Sequence, residues 1–209
     1  MKLFVLGATG PTGLQILQQA LAQGHEVTAF VRDPAKLPFT DRNLKVRTGS
    51  LPGDARALAE ALRGHEAVIS SLGLHNVLKS RGFIESSMRV LVPAMEKQGV
   101  RRLIIVSANG VGDTRRLAPL LPRIMYRLLL TDIFADKKAG EDIVRASRLD
   151  WTIAYPTLLT DGPRTGGYRA AERLELKGFP KISRADVADF VLRQLNDRGF
   201  LKKGAVISA

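Results

Sequence analysis

Three glycines at a spacing of three, Gly7, Gly10 and Gly13, sit in the run Gly7-Ala8-Thr9-Gly10-Pro11-Thr12-Gly13. Residues without side chains let a backbone turn tightly and approach a ligand closely. An apolar run, 2–6, precedes them, and a helical pattern opening at Pro11 follows. In that strand–turn–helix context the turn sets a diphosphate against the helix N-terminus, whose unpaired N–H groups and dipole favour negative charge. The spacing differs from the G-x-G-x-x-G of standard dinucleotide-binding turns, but the physical task is the same. Thr9 and Thr12 add hydroxyl donors for phosphate oxygens. Pro11 suits the first helical position, where an N–H would have no partner. Arg32 stands 19 residues beyond Gly13, at the end of the next apolar run. A carboxylate near that point selects the ribose hydroxyl of NAD, whereas an arginine accommodates the 2′-phosphate of NADP. Arg32, with Lys36 nearby, therefore points to NADPH over NADH. Asp33 keeps NAD open, should a turn swing it toward the ribose.

The elements that position these residues follow from periodicity. Short runs rich in branched residues, at 2–6, 26–31, 44–48, 67–72, 102–107, 151–155 and 205–208, read as strands. Helical patterns lie between them: from Pro11, with Leu14, Leu17 and Leu21 on one face and Gly24 as stop; at 54–62; at 84–98, ending at Gly99; at 133–147; and at 184–195, where Ser183 and Asp186 form a capping-box pattern. Pro93 predicts a kink or a later start in its helix. Strands alternating with crossover helices predict an α/β fold: a Rossmann-type, doubly wound parallel sheet in three α/β/α layers, with its crevice at the carboxyl ends of the strands. The 209 residues suit one domain, 1–209, and no repeat or linker interrupts it. The one long irregular region, 161–181, is the candidate substrate flap.

Composition narrows the classes. The absence of cysteine excludes disulfides, thiolate metal sites and a cysteine nucleophile, and His25, His65 and His75 are too scattered to suggest a metal centre. The apolar opening runs directly into the glycine turn, so no signal peptide is expected. The apolar stretch 117–130 is broken by Pro119, Pro122, Arg123 and Arg127 and predicts no membrane span. The expected location is cytoplasmic. The net charge of +12 is distributed: 12 basic and 8 acidic residues precede Arg101, and 20 and 12 follow from it. No basic run with interleaved aromatics accompanies it, so a solvated basic surface is expected rather than nucleic-acid binding.

Several segments recur in the order of a known family: the glycine turn, Val31-Arg32-Asp33, Ser71-Leu72-Gly73, the strand ending at Ser107, Asp150-Trp151-Thr152-Ile153, and Ser183-Arg184-Ala185-Asp186-Val187-Ala188. Across nearly its whole length the chain resembles the atypical short-chain dehydrogenase/reductase proteins of the NmrA-like group. Within that group it is most similar to the flavin reductase/biliverdin reductase B type. The resemblance implies that Gly7, Thr9, Gly10, Pro11, Thr12 and Gly13 wrap the diphosphate and that Arg32 meets the 2′-phosphate. It further implies that Leu72 and Gly73 border the ribose and phosphates, that Ser107 is the active-site serine beside the nicotinamide, and that Pro156, Thr157 and Leu158 back its ring. Near the adenine the family usually carries an acidic residue; here Ser50, next to Leu51, holds that place.

Acid catalysis departs from the wider family. Typical members use Tyr-x-x-x-Lys on one helix face, the lysine lowering the tyrosine pKa. The equivalent here is Phe134-x-x-x-Lys138, and Phe134 has no proton to give; Tyr126, with Leu130 four residues on, does not restore the pair. Lys138 is left to hold the nicotinamide ribose. Flavins, quinones and tetrapyrroles accept hydride onto a conjugated ring, so orientation matters more than a strong acid. The expectation is thus an NAD(P)H-dependent reductase of such a small acceptor. Its pocket would run between 107–111, including Asn109, and 161–173, with Arg164 and Arg169 facing acidic groups. Two alternatives stay open. One is an NADP(H)-binding redox sensor with a protein partner. The other, an epimerase or dehydratase, fits less well because it relies on the Tyr/Lys pair and a larger substrate domain.

Overall fold

The computed structural model describes residues 1–73, 79–116 and 131–209; His75, Tyr126, Leu130 and the stretch 117–130 lie outside them. The glycine turn leaves β1 (Lys2–Leu6), which pairs in parallel with β2 (Glu26–Val31) on one side and β4 (Ala67–Ser70) on the other. With β3 (Leu44–Thr48), β5 (Arg102–Val106), β6 (Asp150–Pro156), β10 (Lys203–Ser208) and β8 (Arg169–Ala171), the sheet runs β3-β2-β1-β4-β5-β6-β10-β8. Every pairing is parallel except that of β8 with β10. The order reverses between β1 and β4, and that reversal opens the crevice where such sheets bind ligands.

Alternate side chains of β1 feed two cores. Leu3 and Val5 pack with α1 (Pro11–Ala22) and the last helix, α5 (Arg184–Arg193); Phe4 and Leu6 pack under α2 (Ala55–Ala61) and α3 (Phe83–Gln98). All four residues of β4 are buried, as expected for a central parallel strand covered on both faces. The remaining helix, α4 (Thr131–Ala146), lies against α3. Pro93 sits within α3 without ending it, and Gly99, at φ +72°, closes it as the sequence predicts.

The α3–α4 seam sets the rotation of α4. The buried Asp136 carboxylate accepts hydrogen bonds from the backbone N–H groups of Ile84 (3.0 Å) and Glu85 (2.9 Å), capping α3. A Cβ at Gly140 would lie 2.9 Å from the Ile84 side chain, so the glycine permits the close approach. With Asp136 and Gly140 facing α3, Lys137 and Glu141 turn toward the ends of β4 and β5.

Differences from the sequence reading concentrate at the crevice. β4 and β5 end at Ser70 and Val106; Ser71 and Ser107 each keep one backbone bond, to Leu6 O (3.0 Å) and Ala154 O (2.8 Å), and lead out of the sheet. Region 161–181 is not wholly irregular: it contains β8 and reaches β9 (Lys181–Ser183), which pairs with β7 (Leu158–Thr160). It is also fastened down. Asp186 accepts from Thr165 N–H (2.7 Å), Thr165 Oγ1 (2.9 Å) and Gly166 N–H (2.8 Å), while Ser183 caps α5 by accepting from Asp186 N–H.

Candidate active site

The glycine turn is tight enough to exclude side chains. Gly10 N–H donates to Gly7 O at 3.0 Å, and Gly7 holds φ +74°. A Cβ on Gly7 would stand 2.6 Å from Ser71 O, and one on Gly13 would stand 2.1 Å from Gly7 O. Ser71 Oγ donates to Leu6 O and Gly7 O, fastening the turn to the end of β4. Above the turn, α1 begins at Gly10 with no side-chain cap, with Pro11 at its start and no acidic residue in its first turn. Its N–H groups are thus left for an anion. Thr9 and Thr12 flank this end and are both partly exposed. A diphosphate fits here on geometry.

Arg32 follows β2, is exposed, and makes no hydrogen bond or ion pair among the described residues. Asp33 turns away: its carboxylate accepts from Ala35 N–H (3.1 Å) and caps the short turn Pro34–Lys36. Arg32 is therefore the free cation that follows β2 among the described residues, and the exposed Lys36 closes the next turn. Ser50 is occupied by Asp54, donating its N–H (2.7 Å) and hydroxyl (3.3 Å) to that carboxylate, and Leu51 is buried in the core. Gly73 is exposed, whereas Leu72 reaches inward to a recess shared with Ser107.

That recess, of about 20 Å³, lies between the ends of β4 and β5 and the α3–α4 pair, bordered by Leu72, Ser107, Lys137 and Glu141. Ser107 Oγ donates to Glu141 Oε1 at 2.5 Å, and Tyr155 Oη donates to Glu141 Oε2 at 2.5 Å. Arg145 Nη2 donates to Tyr155 Oη (2.7 Å), lies 3.9 Å from Glu141 Oε2, and covers the Trp151 ring. Glu141 is only 3% exposed. Burial pushes its carboxyl above the usual range; the two hydroxyl donors, Arg145 and Lys137 pull it back without cancelling the rise. Tyr155 is pushed up as well, by burial and then by Glu141, so its phenol stays protonated. Burial pushes Lys137 down, against the opposing pull of Glu141 and Asp136.

The lysine that borders the Ser107 recess is Lys137 rather than Lys138. Lys138 points outward, paired with Asp142 at 2.6 Å with both side chains exposed, because Asp136 and Gly140 turn the adjacent face of α4 inward. Phe134 packs against the core on the α3–α4 side. Sequence reasoning also passed over Glu141, Tyr155 and Arg145; the only signal was Glu141 four residues from Lys137 on a helix packed against the sheet. Asn109 is buried, donates its N–H to Pro156 O (2.9 Å), and its Oδ1 has no hydrogen-bond partner among the described residues. Pro156 and Thr157 are buried at the end of β6, and Leu158 is half-exposed beside Pro180, whose carbonyl accepts its N–H.

Arg164 and Arg169 do not join Ser107. Arg164 pairs with Asp189 of α5 (3.4 Å), on the opposite face of the sheet from α4; Arg169 lies on edge strand β8, opposite Ser208. A larger cleft, about 540 Å³, opens between β3 and α2, lined by Lys45, Arg47, Arg63 and His65, away from this constellation. Among the described residues, no His, Asp and Glu cluster could hold a metal ion, and no helix is long and apolar enough to cross a membrane.

Comparisons with known proteins give the family and the fold. A family model described as NAD(P)H-binding matches residues 7–198. The Bacillus subtilis protein YwnB, itself uncharacterised, is 30% identical over 209 residues, covering 93% of this chain and 92% of YwnB. An uncharacterised chloroplastic protein of Arabidopsis thaliana is 32% identical over 79% of this chain, which spans 61% of that protein's length. Among solved structures, Escherichia coli O157:H7 ChuY, described as an anaerobillin reductase, superposes with a TM-score of 0.81 at 25% identity, covering 99% of this chain and 96% of ChuY.

Proposed function

The chain belongs to the NAD(P)H-binding family, and from that premise we propose that it is an NADPH-dependent reductase of a small conjugated acceptor: a flavin, quinone or tetrapyrrole. One observation carries the reading: Ser107 borders the recess at the ends of β4 and β5, beside the reversal of strand order between β1 and β4, and α4 carries Phe134, not tyrosine, in the pattern that would protonate an alkoxide. When bound, the cofactor supplies hydride.

The chain's own residues supply position. The glycine turn and the start of α1 hold the diphosphate. Arg32 and Lys36 meet the 2′-phosphate, which sets the preference for NADPH. Leu72, Pro156 and Thr157 bound the nicotinamide side, and Asn109 Oδ1 accepts from a ligand N–H, relieving a buried unpaired oxygen. Leu158 and Phe179, both more than half exposed, offer apolar area to a planar acceptor. Likeness to ChuY favours a tetrapyrrole. Ser107 and Lys137 are the polar groups facing the reacting atoms.

Purified protein with NADPH should lose dihydronicotinamide absorbance on adding FMN, FAD, a quinone or biliverdin. Ser107→Ala should slow that loss by about tenfold or more, a floor set below the roughly 100-fold that a positioned proton-transfer group commonly contributes, while NADPH binding persists. A flat trace with every acceptor would overturn the reading in favour of a nucleotide sensor.

A further inference from the structure

Resting on the reductase reading, we propose that Glu141 and Ser107 form a proton relay: buried Glu141 passes its proton to Ser107 Oγ as Ser107 passes its own to the reduced acceptor. The acceptor is the oxidant and NADPH the reductant. The acceptor, having taken hydride, needs one proton on a basic atom. The Ser107 O–H bond breaks as that new bond forms. The Glu141 O–H bond breaks as the Ser107 hydroxyl is restored, leaving a carboxylate. Lys137, partly exposed and bordering the same recess, returns a proton from solvent through a space the size of one water.

The geometry makes the relay a two-state device. With Glu141 ionised, the Ser107 proton is committed to Glu141 Oε1 at 2.5 Å and is not offered to the site. With Glu141 protonated, Oε1 donates to Ser107, whose hydroxyl turns outward. Tyr155 holds Oε2 in both states, and its high pKa keeps it from competing as the acid. Among the described residues, Glu141 is faced by Ser107 at the end of β5, Tyr155 from β6, Arg145 and Lys137 from α4 with Asp136 beside Lys137, and the apolar Ile84 and Met88 from α3, while the exposed Lys138 acts on it by charge. Burial raises the carboxyl against these donors and cations, so the protonated form persists above the range of an exposed glutamate. Glu141 acts through Ser107 and does not touch the acceptor.

Glu141→Gln preserves shape and both hydroxyl contacts but cannot release a proton. The first readout needs no acceptor: the infrared difference between wild type and Glu141→Gln should contain a protonated-carboxyl band that titrates above the range of an exposed glutamate and shifts in Ser107→Ala. A carboxyl that titrates like an exposed one, or ignores Ser107→Ala, overturns the relay. The second readout is single-turnover reduction. Wild-type rate should fall as pH rises through the Glu141 transition and slow in deuterium oxide. Glu141→Gln should be at least about tenfold slower, flat with pH and free of that isotope effect, with NADPH affinity unchanged. A variant that keeps the wild-type pH profile refutes the relay and leaves Glu141 a buttress. If no acceptor is reduced, the reductase reading fails, and the infrared titration still decides whether the pair holds its proton.

Discussion

Replacing Gly13 by alanine tests the cofactor turn where tolerance is least. The added Cβ would lie 2.1 Å from Gly7 O, more than an ångström inside ordinary contact at 3.4–4 Å, and 2.8 Å from Gly7 C, also well inside it. The obstructing atoms are backbone, so no rotamer change relieves them; α1 must lift or the turn at Gly7 must shift. Overpacking costs about 1–3 kcal/mol, and a backbone clash belongs in the upper part, about 2–3 kcal/mol. If the turn keeps its shape, the strain lowers the melting temperature by about 4–12 °C for a chain of this size. If the turn relaxes, its N–H groups leave their alignment and NADPH binding weakens by about 30- to 100-fold, at about 1.4 kcal/mol per factor of ten. Thermal denaturation and NADPH titration read the two routes. Gly24→Ala is the control: at φ +78° with nothing within 4 Å of its Cβ, it should lose about 1–2 kcal/mol of stability with affinity unchanged. A Gly13→Ala protein with both melting temperature and NADPH affinity at wild-type values would refute the reasoning.

Other residues give sharper contrasts. Arg32→Ala should weaken NADPH about tenfold or more, the value of a charge-assisted hydrogen bond, and leave NADH within about twofold; equal losses for both would remove Arg32 from the 2′-phosphate. Lys138→Ala should change activity and stability little, since an exposed i,i+4 pair is worth about 0.2–0.5 kcal/mol, whereas Lys137→Ala should slow turnover by about tenfold or more. Asp186→Asn should release 161–168 from α5 and cost about 1–3 kcal/mol. Burial tends to raise the Asp186 carboxyl, but bonds from Gly166, Thr165 and Ser183 hold it below its ordinary value. A depressed carboxylate contributes stability above its unfolded pKa and loses it as pH falls through the folded one. The gap in melting temperature between wild type and Asp186→Asn should therefore close in acid; a constant gap would contradict the assignment.

The central strands were readable because their burial is uniform: 67–70 and 103–105 are short runs buried throughout, as expected of parallel strands covered on both faces. The glycine turn was equally legible, since its spacing reflects backbone contacts that any Cβ would violate. Helix α4 was legible as a helix but not in its rotation. Its inner face carries Asp136, Gly140 and Glu141, polar or small residues that periodicity assigns to solvent, and their partners at Ile84, Ser107 and Tyr155 come from distant segments. The Phe134-x-x-x-Lys138 spacing therefore pointed to the exposed lysine, while its neighbour Lys137 borders the recess. Strands β7, β8 and β9 escaped because three residues are too few to show alternation. The ion pair of Arg164 was not legible because its partner, Asp189, belongs to a helix distant in sequence, on the other face of the sheet from α4.

Stopped-flow reduction with NADPH and a panel of flavin, quinone and tetrapyrrole acceptors, run on wild type and Ser107→Ala, addresses the account most directly. It predicts oxidation of NADPH by at least one conjugated acceptor, with the rate lowered about tenfold or more in the variant at unchanged NADPH affinity. No oxidation with any acceptor, or equal rates for the two proteins, would contradict it.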